Sequence, residues 1–125
     1  MKSFGEIIVE EGRVPSAALQ KVGSHMPRIE APERVRRGKV FELRIEVSHS
    51  NSVEHGIRCI DIYLYDEGRE FNPIHVAHVE LEPPYSVPRV SIAMRLEKTC
   101  VIYVVVYCNL HGVWVSRKRI EVVES

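Results

Sequence analysis

Residues 100–123 read CVIYVVVYCNLHGVWVSRKRIEVV. Cys100 to Tyr107 is almost wholly apolar and rich in valine, the pattern of a buried strand, and Val113 to Val123 reads as a second strand. Between them a thiol, Cys108, and an imidazole, His111, stand three residues apart where one strand ends and the chain turns back. Gly112 supplies the freedom to reverse direction. Such a turn can offer a soft thiolate and a borderline imidazole to one metal ion.

Working outward, the same β grammar covers the chain from Met26 onward. Apolar and polar residues alternate strictly from Phe41 to Ser48, as in a strand with one face on a core and one in water, and His49 continues the inward parity. Ile57 to Tyr65 and Ile74 to Glu82 predict two further strands around the polar loop from Asp66 to Pro73, and Pro83-Pro84 stops the second. Val90, Ile92, Met94 and Leu96 mark another, and Arg117, Lys118 and Arg119 suggest that the last strand is a solvated edge. Residues 1–22 form an N-terminal extension with one helix signal, roughly Pro15 to Val22, opened by proline and ended by Gly23. Residues 23–125 form the β domain. With short turns and no crossover helices, this predicts an all-β chain, an immunoglobulin-like antiparallel β-sandwich of about seven strands. A small antiparallel barrel is the alternative.

The 125 residues suffice for one domain with a real core. Lys+Arg and Asp+Glu are equal at 17 each, so no net charge draws the chain to nucleic acid or a membrane surface. The segment from Met1 to Glu11 lacks the basic start and long apolar run of an export signal, and no stretch is long enough to span a bilayer. The expected address is the cytoplasm. Cys59, Cys100 and Cys108 are too few and odd in number for a disulfide framework, which leaves thiols or a metal ligand. Cys59 and Cys100 lie inside strand patterns and read as structural thiols.

Six histidines are more than this length requires. His25, His49, His55 and His111 all fall at element ends, whereas His75 and His78 lie three apart inside a strand pattern, which predicts opposite faces and no shared ion. Any one histidine alone reads as a surface or hydrogen-bonded core side chain. Four loop histidines together with a Cys-x-x-His turn, on a sandwich whose loops gather at its ends, read as a site on a rigid scaffold. Structural zinc sites are closed tetrahedra, while five candidate ligands with one thiolate suit a redox metal with more coordination positions, so iron is favoured.

The motifs Ser24-His25-Met26-Pro27, Val47-Ser48-His49, Glu54-His55-Gly56-Ile57-Arg58 and Cys108-Asn109-Leu110-His111-Gly112-Val113-Trp114 resemble those of the superoxide reductases, specifically the single-iron neelaredoxin type, over about Gly23 to Val122. The resemblance implies one mononuclear iron with four equatorial histidines, His25, His49, His55 and His111, and an axial thiolate from Cys108. It implies binding through Nδ1 at His111 and through Nε2 at the other three. It also implies the reaction: superoxide takes one electron and two protons and leaves as hydrogen peroxide. A thiolate on the far side of the iron pushes electron density toward the substrate. Two-iron relatives carry an additional four-cysteine rubredoxin-like centre, and no cysteine precedes Cys59 here.

The family usually shows Glu-Lys-His before the Val/Met-Pro step, where this chain has Gly23-Ser24-His25. The expectation is a ferric sixth position left to water, hydroxide or an external anion, unless Glu10 or Glu11 reaches it. Superoxide would then be steered by another cation, Lys21 or Arg28. Trp114 is expected to pack against the site. The resemblance further implies a dimer or tetramer. The cluster Arg34, Arg36, Arg37 and Lys39 reads as a solvated hairpin end, or as a dock for an acidic, rubredoxin-like electron donor. Two other readings stay open: a non-catalytic iron electron carrier with the same ligands, and an interaction module with incidental histidines.

Overall fold

The computed structural model describes residues 1–124. Its elements in chain order are a helical turn α1 (Phe4–Ile7), strand β1 (Val9–Glu10), a 3-10 helix (Ser16–Lys21), α2 (Val22–His25), and strands β2 (Arg28–Glu30), β3 (Arg34–Arg36), β4 (Phe41–Glu46), β5 (Ile57–Tyr65), β6 (Ile74–Glu80), β7 (Arg89–Met94), β8 (Cys100–Cys108) and β9 (Gly112–Val123). Two sheets face each other. The larger runs β1-β9-β8-β5-β6, with β3 also on β9, and the smaller runs β2-β4-β7.

Parity builds the core. Phe41, Leu43 and Ile45 of β4 point inward from the small sheet; Ile60 and Ile62 of β5 and Ile102, Val104 and Val106 of β8 meet them from the large one. Cys108 shares the parity of Cys100, Ile102, Val104 and Val106, so its side chain enters the same interior at the end of the sandwich. The β8–β9 hairpin pairs Val106 with Trp114 and Cys108 with Gly112, whose φ of 80° is the left-handed turn that glycine permits.

Three sequence expectations are corrected. The helix does not stop at Gly23: the 3-10 turn passes into α2, and the Met26 N–H still donates to Val22 O. The helix ends at Met26, which is extended because Pro27 follows it, so His25 closes a helix instead of opening a strand. Nor is β9 an edge: its first half pairs in parallel with β1 and its second half with β3. Strands of two and three residues carry no readable period, and parallel pairing between distant segments leaves no local mark. The exposed Arg117 and Arg119 stand on the outer face of a strand flanked on both sides. Finally, a bulge in the β5–β6 ladder between Ile62 and Tyr63 shifts the parity of β6, pairing His78 with Asp61 and His75 with Tyr63. The two histidines therefore share one face.

Candidate metal centre

His25, His49, His55, Cys108 and His111 meet at one end of the sandwich. Cys108 is fully buried at the end of β8; His25 ends α2 and is 3% exposed; His49 lies just past β4 and His55 just before β5. Ring centroids separate His25 from His49 by 4.7 Å and from His111 by 5.0 Å, both near perpendicular, and from His55 by 5.7 Å at 31°. His55 in turn stands 4.4 Å from His49 and 4.8 Å from His111. The rings thus run His25, His49, His55, His111 around a square, with His25 across from His55.

The nitrogens converge. Nε2 of His55 lies 3.1 Å from Nε2 of His49 and 3.0 Å from Nδ1 of His111. Cys108 Sγ lies 4.0 Å from the former and 3.9 Å from the latter. Donor atoms of His25, His55, Cys108 and His111 all fall within 4.8 Å of one another, and His49 joins them through His55 and the sulfur. Neighbouring ligands bonded at about 2.1 Å and at right angles are about 3 Å apart, the spacing of these nitrogens. Nε2 of His25 is buried and has no hydrogen-bond partner among the described residues. An orphaned buried nitrogen aimed at three other ring nitrogens and a sulfur is what a cation site looks like. The donor set suits a transition metal, and a thiolate with four imidazoles exceeds the four places of structural zinc.

Second contacts aim the ligands. Nδ1 of His25 faces Ser24 Oγ at 2.8 Å and Lys21 O at 3.2 Å; a proton donated from Nδ1 to that carbonyl leaves Nε2 with its lone pair free. The Asn51 N–H donates to His49 Nδ1 at 3.2 Å, which puts the neutral ring's proton on Nε2. Holding a cation through Nε2 would require that proton to leave, and a proton moved to Nδ1 would cost the Asn51 contact. Asn51 itself is buried with φ 45°, accepts the Ile57 N–H at 2.5 Å and donates to Ser86 O at 3.0 Å, which ties the His49 loop to the start of β5. Asn109 joins the Cys108 turn to the His55 loop: its Oδ1 accepts the Gly56 N–H at 2.8 Å and its Nδ2 donates to Glu54 O at 2.9 Å. Trp114 packs its ring 5.1 Å from that of His25 and donates from Nε1 to His111 O at 3.1 Å. Ser116, buried on β9, donates to Pro27 O at 2.5 Å and holds the exit of α2.

Ser24, Asn51 and Ser116 escape sequence reading because a polar residue in a loop or strand looks like surface until its partner is known. Only the placement of Ser24 and Asn51 beside candidate ligands hinted at them. His75 and His78 stand on the outer face of the large sheet, apart from this centre.

Burial, followed by the nearby charge of His49, pushes His25 from 6.5 down to about 4. Burial also lowers His49, with His55 and His111 adding to it, and lowers His111, with Lys21 and His55 adding to it. The unfolded chain therefore takes up these protons first as pH falls. The contribution of His25 to the stability of the metal-free protein is therefore full above about pH 6.5 and is lost progressively down to about pH 4, by about 3 kcal/mol. Thermal unfolding of the chelator-treated protein across that interval is expected to show the fall, and His25→Gln should flatten it. An unchanged slope in the variant would contradict this assignment.

The chain is similar to known proteins over most of its length. The Desulfoferrodoxin family model matches residues 17–117. A superoxide reductase (neelaredoxin) structure from Ignicoccus hospitalis superposes with a TM-score of 0.91 at 45% identity, covering 98% of this chain and 100% of that one. The superoxide reductase of Pyrococcus horikoshii is 33% identical over 104 residues, 78% of this chain and 87% of the relative. The neelaredoxin of Megalodesulfovibrio gigas is 29% identical over 115 residues, 80% of this chain and 88% of the relative. A sandwich that gathers four histidines and a cysteine at one end, matched by that family over residues 17–117, belongs to the desulfoferrodoxin family.

Proposed function

We propose that this chain is a superoxide reductase whose single iron is held by His25, His49, His55 and His111 through Nε2, Nε2, Nε2 and Nδ1, with Cys108 as the fifth ligand. The observation that carries the reading is the approach of the His49 and His111 nitrogens to His55 Nε2 at 3.0–3.1 Å beside a fully buried thiol, with a donor nitrogen of His25 within 4.8 Å of those of His55 and His111. Iron bound there would supply one electron to superoxide. The protein supplies the rest: the interior of the sandwich keeps the sulfur dry, Asn51 and Asn109 hold two ligand loops together, and Trp114 walls one side. The two protons that complete hydrogen peroxide would come from solvent.

The substrate side is built from other residues than the family's usual Glu-Lys pair. Ser24 hydrogen-bonds His25, and an added Cβ at Gly23 would meet nothing within 4 Å. Glu10 is bonded to Arg13 and Arg117, and Glu11 accepts the Arg117 N–H, so both acids are engaged on β9. A sixth ligand to iron would accordingly come from solvent or an external anion. Of the two cations considered for steering, Arg28 is paired with Glu46, whereas Lys21 has no carboxylate partner among the described residues and its charge reaches His111. Lys21→Ala is expected to slow the second-order reaction with superoxide about threefold to tenfold at low ionic strength, with the difference vanishing as salt rises. A salt-independent or absent effect removes Lys21 from the role.

We further propose a rubredoxin-like donor, a homodimer or tetramer and a cytoplasmic location. Arg34 and Arg37 are engaged with Glu121 and Glu124, which leaves Arg36 and Lys39 as the basic pair for an acidic donor. A groove lined by Phe4 and Ile8 of the N-terminal segment and by Tyr65 and Tyr103 of the large sheet supports self-association. The three free thiols fit a reducing compartment. Mixing the ferrous protein rapidly with superoxide tests the activity: oxidation of the site with peroxide and no dioxygen as product supports a reductase. Dioxygen release would indicate a dismutase, and an unreactive site a plain electron carrier.

A further inference from the structure

On the outer face of the large sheet, β5 and β6 carry a second group of metal-binding side chains. Cys59, Asp61 and Tyr63 alternate outward while Ile60 and Ile62 fill the core. Across the ladder Cys59 pairs with Glu80, Asp61 with His78 and Tyr63 with His75. The bulge opposite Ile62 and Tyr63 does the essential work, because in an unbroken strand His75 and His78 would fall on opposite faces. With it, His78 Nδ1 and His75 Nε2 both reach Asp61 Oδ1, at 2.8 and 2.9 Å. Donor atoms of Cys59, Asp61 and His78 lie within 4.8 Å of one another.

We propose that Cys59, Asp61, His78 and His75 form a second metal site, for a divalent ion of the zinc class, on the outer surface of this sheet. One thiolate, one carboxylate and two imidazoles make a four-donor set of the type zinc takes in a tetrahedron. Its middle is sheltered and its rim open: Asp61 is 19% exposed and Cys59 half-buried, whereas the His75 and His78 side chains are 49% and 45% exposed. The exposed rings have the freedom to close onto an ion arriving from solvent. Two His–Asp hydrogen bonds explain the imidazoles, but not the thiol at the same point. Burial, then Asp61 and Glu80, hold that thiol protonated in the absence of a cation. A bound dication takes the thiolate, and the thiol proton leaves to solvent.

The two sites lie on opposite faces of the sheet, Cys108 pointing into the core and Cys59 away from it, so they can be titrated separately. The test is Co²⁺ titration of the iron-loaded protein, followed by its near-ultraviolet sulfur-to-cobalt band, together with Zn²⁺ uptake by equilibrium dialysis. The expected result is one further equivalent per chain, with a cobalt–thiolate band that persists in Cys108→Ser protein and disappears in Cys59→Ser. His78→Ala should weaken uptake tenfold or more, with iron content unchanged in both surface variants. No second equivalent, or one bound as tightly by Cys59→Ser and His78→Ala as by the parent chain, overturns the proposal.

Discussion

Replacing Cys108 with serine is expected to abolish the visible thiolate-to-ferric absorption of the oxidised protein and to lower its second-order rate with superoxide by two orders of magnitude or more. The sulfur is the one soft donor in the cluster, fully buried at the end of β8 and about 4 Å from His49 and His111. Loss of a residue that merely orients a ligand costs roughly 10–100-fold in metal affinity or activity, and loss of a ligand should exceed that. A thiolate bound to iron there would push electron density onto the metal, which a hydroxyl cannot reproduce. Serine fits the space, and burying its hydroxyl costs about 1–3 kcal/mol, which a strand bonded on both sides should withstand. Far-ultraviolet circular dichroism should therefore be unchanged while colour and activity go. A parent protein that carries zinc and shows no visible band would sink the iron reading itself.

Gly56→Ala should be nearly as damaging without touching any ligand. A Cβ at this position would stand 2.9 Å from Ser52 O, 2.9 Å from Pro83 Cγ and 3.1 Å from Asn51 Oδ1. The first of these atoms is backbone in the turn that carries His55, where Ser52 N–H donates to His55 O at 2.9 Å. The third belongs to the asparagine that ties this loop to His49. Since neither can yield cheaply, the methyl pushes the His55 segment away from the cluster and strains the Asn109 bond to Gly56 N–H. Overpacking of this kind costs about 1–3 kcal/mol. The expected outcome is a fall of several degrees in Tm and a marked drop in iron retained after dialysis against a mild chelator. Parent-like Tm and iron content together would show that the loop is softer than its packing implies.

Much of this was legible in the chain itself. The strict alternation from Phe41 to Ser48 and the valine run before Cys108 anticipated β4 and β8, because a strand with one dry face imposes a period of two whatever its neighbours are. The clustering of His25, His49, His55 and His111 at element ends was legible for a related reason: the loops of a sandwich gather at its ends. Local signals failed where distant segments decide the outcome. The parallel pairings of β1 and β3 with β9 cover a strand that reads as an edge, and two or three residues carry no period to announce them. The helix ends at Met26, before Pro27, and not at Gly23, since the residue before a proline is steered to extended backbone. The placement of His75 beside His78 on Asp61 depends on one bulged residue in β6. The all-β class and the five candidate ligands could thus be read from residue type and parity alone. The order of the rings around the square, the asparagine and serine bonds that aim them, and the second cluster around Asp61 emerge only in the folded chain. Those are set by register between strands far apart in the chain, where a shift of one residue moves a side chain to the other face.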